Sequence, residues 1–264
     1  MRVIFNEEMK AVADDLDHMA QNVRKAIRGA GEALLGTNVE AAQAVIDGDA
    51  ELDALQESVV DQCVKLLAKQ NPVATDLRVV VSTMRLAITF ERMGDLAKHV
   101  AEASRRAYPA SPLPEEAKNA FTQMQEFLDE TSDNMVAMLA DRDAKTAERV
   151  ILDDDKLDEL HKQTFELALD DNVEMTRQQI IDIVLLGRFL ERLGDHAVSA
   201  ARQVVFIVSG FDPSKNPGPD KEGMTEYPIS STTHLLIDTS EGVGSPAGPA
   251  PSPYPIVHTQ PTVI

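Results

Sequence analysis

Apolar residues recur at three-and-four spacing through most of the first 210 positions. Met9, Val12, Leu16, Met19, Val23, Ala26 with Ile27, Ala30 and Leu34 form one stripe. Ala117, Phe121, Met124, Leu128, Thr131, Met135 and Met138 form another in the second half. At 3.6 residues per turn such positions share one helix face, the seam along which helices pack. The pattern breaks near Gly36–Asn38, Asn71-Pro72, Tyr108–Pro114, Ala140–Asp143 and Asp170–Thr176. Asn71 with Pro72 reads as an N-cap followed by a first-turn proline, and Thr176 with Gln179 as a capping box. Six helices of roughly 25–35 residues follow, in two sets of three, lengths that suit antiparallel bundles. The predicted fold class is all-α: two antiparallel three-helix bundles, residues 1–108 and 115–211, joined by a linker at 109–114.

Beyond residue 211 the periodicity stops. Ten of the 14 prolines and five of the 13 glycines lie there. Proline removes backbone donors and fixes φ, so neither a helix nor a central strand runs through this stretch. Residues 212–264 are predicted to be a disordered tail. Its apolar patch His234-Leu235-Leu236-Ile237 reads as part of a linker in preference to a docking motif.

Charge changes the picture next. The 264-residue chain carries 25 Lys and Arg against 44 Asp and Glu, a net charge of −19 and a pI near 4.6. Such a chain has no basic footprint for neutralising phosphates, which argues against direct nucleic-acid binding. No Trp and few aromatics argue equally against a platform for stacking bases. No apolar run approaches the roughly 18–20 residues a membrane span needs. The N-terminus, Met1-Arg2-Val3-Ile4-Phe5-Asn6-Glu7-Glu8, has no apolar signal core. A lone cysteine, Cys63, forms no internal disulfide and suits a reducing compartment. The expectation is a soluble cytoplasmic protein that meets membranes only through its partners.

The two halves repeat each other. Glu91-Arg92-Met93-Gly94-Asp95 matches Glu191-Arg192-Leu193-Gly194-Asp195, and Asp49-Ala50-Glu51-Leu52-Asp53 matches Asp154-Asp155-Lys156-Leu157-Asp158. Residues four apart share a helix face, so each acid-x-x-x-acid pair points both carboxylates the same way. In an antiparallel hairpin, residues equidistant from the turn lie side by side. The first two motifs centre on 51 and 93, with midpoint 72, at the Asn71-Pro72 break. The second two centre on 156 and 193, with their midpoint inside the Asp170–Thr176 loop. Each hairpin is thus predicted to gather four carboxylates at one level. Two like charges 4 Å apart repel by roughly 4 kcal/mol at an effective dielectric near 20, so something must compensate them. Arg92 and Arg192 are at hand but are too few for eight acids. An all-oxygen donor set suits Mg, Mn or Fe. Gly94 and Gly194 inside helices make sense where something approaches closely. The plainer reading is a solvated acidic helix face. Ferritin-like di-iron chemistry would need Glu-x-x-His pairs, which are absent, and the six histidines read as ordinary imidazoles, with His99 and His196 kept as outside candidates because they follow the acidic motifs. With no glycine-rich phosphate loop, nucleophile elbow or Cys/His cluster, no enzyme is expected.

At these residues the chain resembles the PhoU family of phosphate-transport accessory and regulatory proteins. The likeness lies in the doubled Glu-Arg-x-Gly-Asp motif, each copy preceded by an acid-x-x-x-acid helix. It lies also in Gln70-Asn71-Pro72-Val73-Ala74-Thr75-Asp76-Leu77-Arg78, similar to the family's approach to its third helix. The resemblance covers residues 2–210 and implies two pseudo-symmetric bundles, often assembled as a homodimer. It implies multinuclear metal (Fe, Mn, Mg or Zn) on Asp49, Asp53, Glu91 and Asp95, and on Asp154, Asp158, Glu191 and Asp195. Asp47, Asp153 and Asp155 blur which acids of the second helix bind. The implied role is negative regulation of phosphate uptake and of the phosphate-starvation response. The implied partners are a phosphate ABC transporter, through its ATPase subunit, and a sensor histidine kinase. Two departures stand out: Asp171-Asn172-Val173-Glu174-Met175-Thr176 replaces the proline-led approach in the second half, and the tail extends past the family's usual end. The alternative is a metal-binding helical scaffold or chaperone-like adaptor without a part in phosphate signalling.

Overall fold

The computed structural model describes residues 2–153 and 155–210, with side chains from Phe5 onward. Asp154 and the tail predicted at 212–264, including the His234–Ile237 patch, lie outside the described residues. The described chain runs α1 (Arg2–Gly36), α2 (Val39–Gln70) and α3 (Ala74–Ala107). It continues through a 3-10 turn (Glu115–Ala117), α4 (Lys118–Ala140), α5 (Ala144–Leu152), α6 (Asp155–Ala168) and α7 (Arg177–Ser209). Helices α1–α3 form one bundle, and α4, α5 with α6, and α7 form the other. Among the described residues there is no strand.

The element ends follow from local chemistry. Asn38 caps α2, its side chain accepting from the Ala41 N–H at 3.0 Å. Thr176 and Gln179 close a reciprocal capping box at the start of α7, as predicted. Asn71 behaves otherwise than predicted. It is the C-cap of α2, at φ 45°, and α3 begins at Ala74 after an extended Val73. Asparagine tolerates the left-handed region that ends a helix, so it terminates α2 while Pro72 stands in the connection. The fifth predicted helix is divided, with α5 ending at Leu152 and α6 starting at Asp155. The acidic run from Asp153 explains the division: aspartate is a poor interior residue but a favourable one in a first turn, where Asp155 and Asp158 meet the positive end of α6.

Both stripes named above are core seams. Val12, Leu16, Met19, Val23, Ile27, Ala30 and Leu34 are buried, as is every member of the Ala117–Met138 stripe. One apolar cluster runs through both bundles. Between them α1 packs on α4 and α3 on α7. Arg24 and Arg28 pair with Asp133, and the Gln125 side chain donates to the Ile27 carbonyl at 3.2 Å. Arg106 donates to the buried Asp182, and Arg78 to the Ile207 carbonyl at 3.1 Å. No described helix is long and apolar enough to cross a membrane.

Candidate functional site

In the first hairpin, α2 and α3 run antiparallel and bring Asp49, Asp53, Glu91 and Asp95 within electrostatic reach of one another. Asp49 is buried and accepts from the Lys98 ammonium. Asp53 is exposed, and Glu91 and Asp95 are half-buried. Desolvation and the charges of Asp49 and Asp95 push the Asp53 carboxyl up, with Lys98 opposing. Burial pushes Glu91 up too, followed by Asp95, against the pull of Arg92. Arg92 bridges Asp95 at 3.2 Å and Glu91 at 3.5 Å. These four acids therefore face two protein cations, and burial first, then the neighbouring acids, hold Asp53 and Glu91 above the ordinary carboxylate range. Gly94 is explained by packing: a Cβ there would lie 2.2 Å from Leu52 Cδ2. The close approach expected at this glycine is by the α2 side chain that sets the hairpin's spacing. A groove of about 680 Å³ opens beside Asp49 between α1 and α2, with His18, Arg24, Arg28 and Glu51 among its walls.

The second hairpin repeats the arrangement with changes. Glu191 is buried, and Arg188, one turn earlier on α7, donates to it. Burial and Asp195 push its carboxyl up, Arg188 pulls it down, and Asp158 pushes it up again. Asp158 and Asp195 are exposed, and both lie within reach of Glu191. The fourth expected ligand, Asp154, lies outside the described residues. A histidine read from the sequence as an ordinary imidazole lies within electrostatic reach of two of them. His161 is half-buried, and its Nε2 is sealed from solvent with no hydrogen-bond partner. Burial and Arg188 push this imidazole down, while Asp158 and Asp195 raise it. In the sequence it stands three residues after Asp158, on the same face of α6.

Where α3 packs on α7, the charge of Arg92 is felt at His196 and the rings of His99 and Phe189 are 5.3 Å apart. Among the described residues, no three acidic, histidine or cysteine side chains converge as closely as a bound ion would require. The donor chemistry nonetheless fits hard or intermediate cations: clustered carboxylates short of countercharge and, in the second bundle, an orphaned imidazole nitrogen.

Together these features define an acidic protein of two three-helix bundles with a repeated carboxylate motif on each second-to-third-helix hairpin. That class has a name. The chain belongs to the PhoU family, whose domain matches residues 16–104 and again 121–204. It is 34% identical over 216 residues, 82% of this chain and 98% of the relative, to phosphate-specific transport system accessory protein PhoU homolog 1 of Mycobacterium tuberculosis. Homolog 2 of the same organism is 33% identical over 213 residues, 81% of this chain and all of the relative. The crystal structure of PhoU from Pseudomonas aeruginosa superposes with a TM-score of 0.72 at 26% identity, covering 78% of this chain and all of that one.

Proposed function

We propose that this protein is an accessory regulator of a phosphate-specific transport system that restrains phosphate uptake and the starvation response. It would connect the ATPase subunit of a phosphate ABC transporter to a sensor histidine kinase, holding the kinase in its non-activating state when phosphate is plentiful. One observation supports this above others: the carboxylate motif is doubled on two hairpins in a chain similar, over 82% of its length, to an accessory protein of such a system. A chain at −19 repels phosphate, so the nutrient would be read through a partner's conformation or through bound cations. A partner shifts an equilibrium only by binding its two states differently, and long rigid helices supply broad faces for that discrimination. The protein would act in the cytoplasm, as a homodimer, and reach the membrane through its partners.

Asp49, Asp53, Glu91 and Asp95 would hold metal on the first bundle, and Asp154, Asp158, Glu191 and Asp195 on the second. When bound, the cations would supply the positive charge these crowded carboxylates lack. A second reading, a helical scaffold or adaptor whose acids only solubilise it, draws support from Lys98, Arg92 and Arg188, which already pair with acids of both clusters. That reading requires no stoichiometric metal.

The deciding experiment is a phosphate-starvation reporter in phosphate-rich medium, in a host lacking this gene and any paralogue. The reporter is expected to be on without the gene and silenced by the intact chain. Complementation with Asp95→Ala/Asp195→Ala then shows whether the clusters are needed. A reporter that stays off without the gene would overturn the regulator reading.

A further inference from the structure

We infer that the outer side of the α6–α7 hairpin is a docking surface for a basic amphipathic helix of a partner protein. The inference holds for the regulator and for the scaffold alike, since either works through a partner.

Two stripes build this surface. Asp158, His161 and Phe165 recur at three-and-four spacing on α6, and Leu169 extends the stripe one turn, its N–H donating to the Phe165 carbonyl at 3.1 Å. On α7 the matching stripe is Ile181, Leu185, Arg188, Arg192 and Asp195. The charges of Arg188, Asp158 and Asp195 are all felt at His161, so both stripes look onto one side of the hairpin. The rings of His161 and Phe165 are 5.0 Å apart. Register follows from Gly187, where a Cβ would stand 3.4 Å from His161 Cδ2 and 2.6 Å from Thr164 Oγ1. Counting outward from that contact along antiparallel helices sets Phe165 level with Leu185, and Leu169 level with Ile181. All four side chains are exposed, Leu169 at 81%. Of the twelve large apolar side chains exposed among the described residues, five lie between Phe165 and Leu185. Apolar residues scattered singly over a surface need no explanation, but a group on one face marks a place that something covers.

The repeat shows that the feature belongs to one half. By the offsets that align the motifs, the counterparts of Phe165, Leu169, Ile181 and Leu185 are Val60, Val64, Val81 and Arg85. The first hairpin thus has three smaller side chains in these places and a charge in the fourth. Charge and shape together select the occupant of the second. From Asp158 to Ile181 the chain carries six acids and two basic residues. Exposed Asp170, Asp171 and Glu174 stand at the turn end of the apolar group, and exposed Asp158 and Asp195 at the other. A second copy would bring the same acids against them, and an anionic lipid surface would be repelled likewise. Lysines or arginines flanking an apolar stripe complement this frame. Paired helices offer a groove along their length, and among the described residues there is no sheet edge, so the fitting mode is a helix laid in a groove.

The test uses the full chain and a fluorescent synthetic helix of about 18 residues, leucines on one face and lysines on the other. A scramble of the same composition and a leucine–glutamate version serve as controls. By anisotropy the leucine–lysine helix is expected to bind, and both controls to bind at least about tenfold more weakly. Leu169→Gln/Leu185→Gln should weaken binding by about tenfold or more. Val64→Gln, at the exposed counterpart of Leu169, should change it by less than about twofold. On the intact protein, a photo-crosslinking residue on the apolar face of the peptide should label α6 and α7, a reading that no variant's folding can spoil. No binding, binding that ignores both leucines, or crosslinks confined to other helices would overturn the inference. Equal binding of either control would overturn it too, since apolar stripe and positive charge must act together. A dimer that sediments as a monomer once both leucines are replaced would give this surface to a second copy, again overturning it.

Discussion

Within the first cluster, neighbouring side chains are expected to respond to substitution in opposite directions. Lys98 is the cation held against buried Asp49, so Lys98→Met leaves a buried carboxylate without its partner. In chelator-treated protein this should cost about 1–3 kcal/mol, moderated because Lys98 is itself 31% exposed. Glu91→Gln removes a desolvated charge that Asp95, Asp53 and Asp49 all oppose. It should raise the melting temperature by about 2–4 °C, the equivalent of roughly 1 kcal/mol in a domain of this size. The pH dependence has a definite sign. A carboxyl whose pKa is raised by folding stabilises fully below its unfolded pKa, and that contribution is lost as pH rises through the folded value. The gain from Glu91→Gln should therefore be absent near pH 4 and complete by about pH 7. Urea midpoints at a series of pH values check this. A gain that shrank as pH rose would show that Glu91 is not crowded by its neighbours.

At the scale of helices, two contacts set where the clusters lie. The α2–α3 spacing depends on Leu52 filling the place of a Gly94 side chain. Gly94→Val should overpack that contact at about 1–3 kcal/mol, and adding Leu52→Ala should recover part of the loss. Asp182, 3% exposed on α7, accepts from Arg106 on α3 and from Gln178. Asp182→Ala strands the Arg106 end of the seam, and about 2 kcal/mol should be lost in thermal unfolding, since Arg106 is half in solvent. These contacts also mark what could be read beforehand. Five of the six predicted helices, the stripes and the nearness of the first hairpin's acids follow from periods of three and four and from counting back from a turn. Those are properties of one strand of sequence. The roles of Leu52 at Gly94 and of Arg106 at Asp182 depend on the distance between two helices, which no local pattern encodes. Asn71 was misassigned because the same residue caps either end of a helix. The division at Asp153–Asp155 needed the competition between an acidic run and helix propensity to be weighed.

Across the whole molecule, a charge of −19 on 264 residues destabilises the compact state by self-repulsion, and any salt will relieve part of it. General screening must therefore be separated from site binding before a metal effect means anything. Screening depends on ionic strength and ignores single carboxylates. Site binding stabilises by RT ln(1 + [L]/Kd), about 2.7 kcal/mol at a hundredfold excess over Kd, and is abolished by removing ligands. The comparison is thus between a divalent chloride and sodium chloride at equal ionic strength, on the intact chain and on Asp95→Ala/Asp195→Ala, by thermal unfolding. Sodium chloride should raise both melting temperatures by similar amounts. The divalent salt should raise the intact protein's by about 5–10 °C further, given roughly 2–4 °C per kcal/mol, and the double variant's by no more than sodium chloride does. Equal gains in both proteins would mean that the carboxylates act as a diffuse charged surface. In that case their alignment on two hairpins would have to be explained by partner binding alone.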